Sequence, residues 1–129
     1  MAELLVPVSP GELLDKITIL RIKAARIADP GKLANVRHEL ETLERTWRAS
    51  PYAAADVAVE VAALQAVNAR LWDIEDDIRE QERLRNFDAH FIELARSVYV
   101  ENDERARVKR RINDKLGSTI VEEKSYREY

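Results

Sequence analysis

Glycine and proline punctuate this 129-residue chain at only four places once Pro7 is set aside: Ser9-Pro10-Gly11, Asp29-Pro30-Gly31, Ser50-Pro51 and Gly117-Ser118. These residues mark turns, so their scarcity argues against an all-β fold, which needs many of them. A softer break falls at Arg85–Asp88. The spacing predicts four helices, at about 10–28, 30–49, 52–84 and 88–116, and a tail over 117–129. The expected architecture is a single all-α domain, an antiparallel four-helix bundle made of a short and a long helical hairpin with an extended C-terminal tail.

Apolar periodicity supports each helix. Leu13, Ile17, Leu20, Ala24 and Ile27 recur at alternating spacings of four and three. Ser9, Pro10 and Glu12 carry the marks of a capped start, a capping box, and Val8 and Leu13 occupy the staple positions. Asp29 is the expected cap of the second helix, whose stripe is Leu33, Val36, Leu40, Leu43 and Trp47. Leu64, Val67, Leu71, Ile74 and Ile78 mark the third, and Phe91, Leu94, Val98, Ile112 and Leu116 the fourth. The long pair, about 30 residues each, spans roughly 45 Å against roughly 28 Å for the short pair. The overhang, with Ile19 and Ile22 off the first stripe and the Trp72 side of the third helix, predicts a homodimer. Ile120 and Val121 are expected to dock the tail on the bundle, with Tyr126 close behind.

Composition narrows the function. Hydrophobic residues are 46 % and charged residues 35 %, enough for a core. The absence of cysteine excludes disulfides, zinc–thiolate sites and a cysteine nucleophile. A net charge of −3 carries no polyanion-binding signal. No apolar run approaches the roughly 18 residues of a membrane span, and Met1–Pro10 lacks the features of a signal peptide, so a cytoplasmic location is expected.

The informative residues are polar ones lying within apolar stripes. Glu75 falls about 40° from Leu71 around the helix, and Glu82 about 20°. Asn68 shares their line at the stripe's edge. Asn102, Arg105 and Lys109 all fall within about 40° of Val98. Antiparallel packing of the two long helices brings the level of Glu75 to Val98–Asn102 and that of Asn68 to Arg105, which makes Arg105 the expected partner of Glu75. Lys16 and Lys23 of the first helix add cations. Buried charges must be paired, so this group is either an internal network fixing helix register or the lining of an open cleft. In a cleft, Arg105 and Lys109 would hold a phosphate or carboxylate, Asn102 would orient it, and Glu75 would work as acid or base.

Other chemistry is weaker. His38 and His90 have no ligand-spaced partner, and no metal site or cofactor is expected. Glu41-x-x-Glu44 and Glu101-x-x-Glu104 have the spacing of magnesium-holding pairs but no clear core face. The basic run Arg105–Arg111 winds around its helix without interleaved aromatics, so no nucleic acid is expected.

Four stretches occur in order: VPVSPGELLDKITILRIKAARI, LWDIEDDIRE, FIELARSVYVENDERARVKRRIN and GSTIVEEKSY. Together they resemble a family of short bacterial helical proteins catalogued as a domain of unknown function and associated with glycosyltransferase and surface-polysaccharide genes. The resemblance implies a bacterial cytoplasmic protein and transfers no catalytic residue. Two readings result. One is a non-catalytic binding or assembly module, accessory to surface-polysaccharide biosynthesis. The other is a small all-α enzyme using Glu75, Asn102, Arg105 and Lys109 on an anionic substrate, with Asn68, Glu82 and Lys16 completing the candidate site.

Overall fold

Side-chain caps mark where three of the four helices begin, at or within a residue of the positions expected from the sequence. A computed structural model describes residues 2–129 and contains four helices: α1 (Pro10–Arg26), α2 (Pro30–Ala49), α3 (Ala58–Arg83) and α4 (Ala89–Leu116). Ser9 Oγ accepts from the Glu12 amide at 3.1 Å, and Asp29 Oδ2 from that of Lys32 at 2.8 Å. Asp88 Oδ1 accepts from His90 and Phe91. Gly117 closes α4 at φ 66°, where the Ser118 amide reaches back to the Asn113 carbonyl at 2.9 Å. That left-handed position is one glycine occupies without strain.

Two expectations about helix starts are corrected. The third helix begins at Ala58, not near Tyr52. Ser50 Oγ accepts from the Tyr52 amide, Tyr52 stacks on Trp47 at 6.3 Å, and Asp56 Oδ1 accepts from the Ala58 amide. Local side-chain bonds of this kind divert backbone from the helix. The capping box is half formed: Ser9 caps, but the Glu12 carboxylate turns to Lys109 and Lys16.

Helix α1 packs against all three other helices, whereas α2 packs against α1 alone. The first helix therefore buries two faces. Leu13, Ile17 and Leu20 form one, at intervals of four and three, and Leu14, Thr18 and Ile22 the other, at intervals of four. Ile22, off the main stripe in the sequence, is covered within the chain at 4 % exposure. The core joins Leu13, Leu14 and Ile17 to Val57, Leu64, Val108 and Ile112, with Leu40, Leu43 and Trp47 of α2 laid against it.

Cross-helix pairs fix the register. Arg70 meets Glu101 at 3.0 Å and Lys115 meets Glu60 at 3.1 Å, so α3 and α4 are antiparallel as expected. Contacts of Gly11 with Asn113, Glu12 with Lys109 and Asp15 with Arg105 run α4 antiparallel to α1 as well. Arg26 ends α1 beside Asp73, its guanidinium 5.8 Å from the Trp72 ring centre. Beyond that level the α3–α4 hairpin projects alone, and Leu84, Phe87 and Ile92 stand exposed on it.

The tail runs back along α4 as an extended strap, but polar groups hold it. Ile120, Val121 and Tyr126, the residues expected to dock, are 37 %, 53 % and 82 % exposed. Instead Glu122 meets Lys109 at 2.9 Å, Lys124 meets Asp103 at 2.6 Å, and Tyr129 packs edge-on to Tyr99. The strap thus lies on the charged side of α4 at Asp103 and Lys109, not on exposed apolar helix surface.

Candidate functional site

Three helices converge on one buried carboxylate. Asp15 of α1 is 4 % exposed and Thr18, one turn on, is fully buried. Asn68 of α3 donates through Nδ2 to Asp15 Oδ1 at 2.9 Å and to Thr18 Oγ1 at 3.0 Å. Arg105 of α4 brings its Nε to 3.8 Å from the same Asp15 oxygen. Asn68 and Arg105 thus meet at one level, as the register required, but Asp15 joins them rather than Glu75.

Glu75 pairs with Arg79 on its own helix and stands half-exposed, so it is not the partner of Arg105. Glu75 stands past Asp73, the α3 residue that meets Arg26 at the end of α1, and no other helix brings it a cation. Glu82 lies further out on the projecting hairpin and is exposed. Lys16 is exposed and lies 3.6 Å from Glu12. The residues brought together are therefore Asn68, Asn102, Arg105 and Lys109, with Glu75 and Glu82 outside the group.

One turn along α4, Lys109 is a second node. Its side chain is 12 % exposed and forms salt bridges to Glu12 and, at 2.9 Å, to Glu122 of the strap. Burial alone would lower the Lys109 ammonium, but its bonds to the two carboxylates hold it above the ordinary 10.5. For Glu12 burial works upward, yet Lys109, aided by Lys16, holds its carboxyl below the ordinary 4.5. Ser9 Oγ donates to Glu122 at 3.1 Å while accepting from Glu12, so a single hydroxyl ties the strap to the start of α1. Asn113 completes the node, its Oδ1 accepting from the Gly11 amide at 2.7 Å. A Cβ on Gly11 would stand 2.7 Å from both that Oδ1 and the Lys109 carbonyl oxygen. Only glycine lets the two helices approach this closely.

Between α4 and the strap lies an open cleft of about 1090 Å³, lined on the helix side by Asn102, Arg105, Arg107, Lys109 and Arg110 among others. Arg107 is bound to Glu104 at 2.9 Å and Arg110 to Asp114 at 3.4 Å. On the cleft floor Asp103 bridges Lys124 and the Tyr129 hydroxyl. Arg105 makes no hydrogen bond among the described residues, and neither does the Asn102 side chain. A guanidinium held to Asp15 only at 3.8 Å, with an unbonded amide side chain one turn away, keeps donors for a carboxylate or phosphate.

Asp15, Asn113 and Glu122 escaped the sequence reading, which took Ser9 and Glu12 only as a capping box. The signal for Asp15 was present: it lies about 20° from Ile22 around α1, on the face that residue marks as buried. Among the described residues no group of three or more His, Asp or Glu side chains is arranged to hold a metal ion. No helix is long and apolar enough to cross a membrane.

An all-α fold built around a buried polar junction with a strap-walled cleft defines a class of small helical module. The chain belongs to a family described as a family of unknown function (DUF6165), which matches residues 4–129. Neither the curated proteins nor the solved structures hold a match to it.

Proposed function

We propose that this protein is a non-catalytic binding module that takes a carboxylate or phosphate group in the cleft between α4 and the C-terminal strap. One observation carries the reading: of the four cations α4 contributes to the cleft wall, Arg105 has the loosest carboxylate contact, 3.8 Å from its Nε to Asp15, and the Asn102 side chain near it makes no hydrogen bond among the described residues. Arg105 supplies the fork and Asn102 the orienting amide. Lys109 sets the potential of the wall but is committed to Glu12 and Glu122. A binding role is favoured over catalysis because Glu75, the acid or base the sequence nominated, is remote, and Asp103 and Glu122 are each bound twice. The association with surface-polysaccharide genes implied by the resemblance makes sugar nucleotides and phosphosugars the first ligands to screen, in the cytoplasm of a bacterium.

Thermal shift tests this directly with inorganic phosphate, a dicarboxylate, a phosphosugar and a sugar nucleotide. A ligand at a hundred times its Kd adds about 2.7 kcal/mol, a rise of several degrees in Tm for a chain of this size. Arg105→Gln, which also takes a cation from beside the buried Asp15, should lower the unliganded Tm without changing the helical circular dichroism spectrum, and should abolish the rise. An equal rise in wild type and Arg105→Gln, or none with any probe at millimolar concentration, refutes the reading.

A further inference from the structure

The strap puts a carboxylate of its own into the cleft that it walls. One oxygen of Glu122 accepts from the Ser9 hydroxyl at 3.1 Å, and the other meets Lys109 Nζ at 2.9 Å. Ser9 is 1 % exposed and the Lys109 side chain 12 %, whereas the Glu122 side chain is 40 % exposed. The receiving groups are thus built into the helix junction, and the carboxylate comes to them from outside. The amides that open α1 take no part. Gly11 donates to Asn113, Glu12 to the Ser9 hydroxyl and Leu13 to the Ser9 carbonyl. A buried ammonium and a buried hydroxyl are what hold the anion.

Little else fastens the strap around Glu122. Ile120 and Val121 before it and Glu123 after it are exposed, and the next hold is Lys124 on Asp103. Ion pairs open to water contribute little. Glu122 therefore sits in a well-built site on a weak tether, and an external anion can take its place.

That site adjoins the Arg105–Asn102 position. Arg105 and Lys109 stand four residues apart on one face of α4, about 6 Å along its axis. With Asn102 and Glu122 they line the same cleft. The cleft thus has two anion positions one helical turn apart: an open one at Arg105 and Asn102, and one at Lys109 and Ser9 that the chain fills itself. Lys109 keeps Glu12 when Glu122 leaves, so exchanging one anionic group for another leaves the ammonium paired throughout.

Resting on the reading of the cleft as an anion site, we infer that Glu122 is a tethered stand-in for part of the ligand. The ligand carries two linked anionic groups, phosphoryl or carboxyl. One sits on Arg105 and Asn102; the other displaces Glu122 from Lys109 and Ser9 and releases the strap. A ligand with a single anionic group fills the open position and leaves the strap seated, so the device selects for two.

Isothermal titration calorimetry of the full chain with pyrophosphate and with inorganic phosphate tests this. A seated internal competitor lowers apparent affinity by the factor by which it favours the closed state, about tenfold for a few partly exposed contacts. Glu122→Ala should therefore bind pyrophosphate about tenfold more tightly than wild type. In isotope-labelled wild type, saturating pyrophosphate should lower the heteronuclear NOE of the Val121, Glu122 and Glu123 amides to that of a free tail, and phosphate should not. This second measurement needs no variant. Equal or weaker pyrophosphate binding by a folded Glu122→Ala, or a strap NOE that holds or rises when pyrophosphate binds, overturns the inference and leaves the cleft reading standing, because the anion still binds. Binding of neither anion to wild type overturns the inference together with the phosphate reading beneath it.

Discussion

Asn68 is buried at 5 % exposure although its side chain is an amide. Its amide spends both described hydrogen bonds on Asp15 and Thr18 inside the three-helix junction. Removing a donor from a buried carboxylate strands that charge, which costs more than the bond's net worth. Asn68→Ala should therefore lower stability by about 2–4 kcal/mol, read as a reduced midpoint in urea with an unchanged slope. Glu82→Ala, on the exposed projecting hairpin, should stay within about 0.5 kcal/mol. An Asn68→Ala midpoint equal to wild type would show that Asp15 does not depend on it. The sequence located Asn68 and Arg105 because helix periodicity and an antiparallel link fix level along the axis. It paired them with the wrong acid because periodicity leaves the rotation of each helix open by tens of degrees. The packing of α1 between its neighbours settled that rotation in favour of Asp15.

At the scale of elements, the four helices were legible because proline, glycine and cap residues mark their ends and three-to-four spacing marks their faces. The strap was not, because its position depends on single long-range pairs: Glu122 with Lys109 and Ser9, Lys124 and Tyr129 with Asp103. No local pattern encodes such pairs, and the apolar Ile120-Val121 dipeptide pointed to docking through the wrong side chains. The same pairs give the strap a pH window. Hydrogen bonds from Lys124 and then Tyr129 hold the Asp103 carboxyl below the ordinary 3.8, so this support is present above that value and fades as pH falls through the lower folded pKa. The hydrogen bond to Asp103 raises the Tyr129 hydroxyl above the ordinary 10.0, so its support is present below that value and is lost as pH rises through the higher folded pKa. The difference in ultraviolet tyrosinate titration between wild type and Tyr129→Phe should thus show one group with a midpoint above 10.0. A midpoint at or below it would mean that the strap end is not held by Asp103.

For the whole molecule, the packing order sets the order of opening. Helix α1 touches every other helix, α3 and α4 grip each other along their length, and α2 rests on α1 alone without one fully buried residue. What keeps α2 in place is the edge of the core at Leu40, Leu43 and Trp47, with one exposed ion pair from Arg21 to Glu44 at 3.3 Å. Partly buried contacts of this kind contribute less than the closed α1–α3–α4 junction, whose Ile17, Leu64 and Ile112 are 1 % exposed or less. Cooperative units with few buried apolar contacts open below the global unfolding free energy. Native-state hydrogen exchange should therefore find the amides of Leu33–Trp47 opening with a smaller free energy, and a smaller denaturant dependence, than those of Ile17, Thr18, Leu64 and Ile112. Because the cleft and the Asp15 junction are built from α1, α3, α4 and the strap, ligand response should persist when α2 is loosened by Trp47→Ala. Exchange of α2 at the global free energy would instead make its edge contacts part of a single cooperative core, and loosening it would then take the cleft with it.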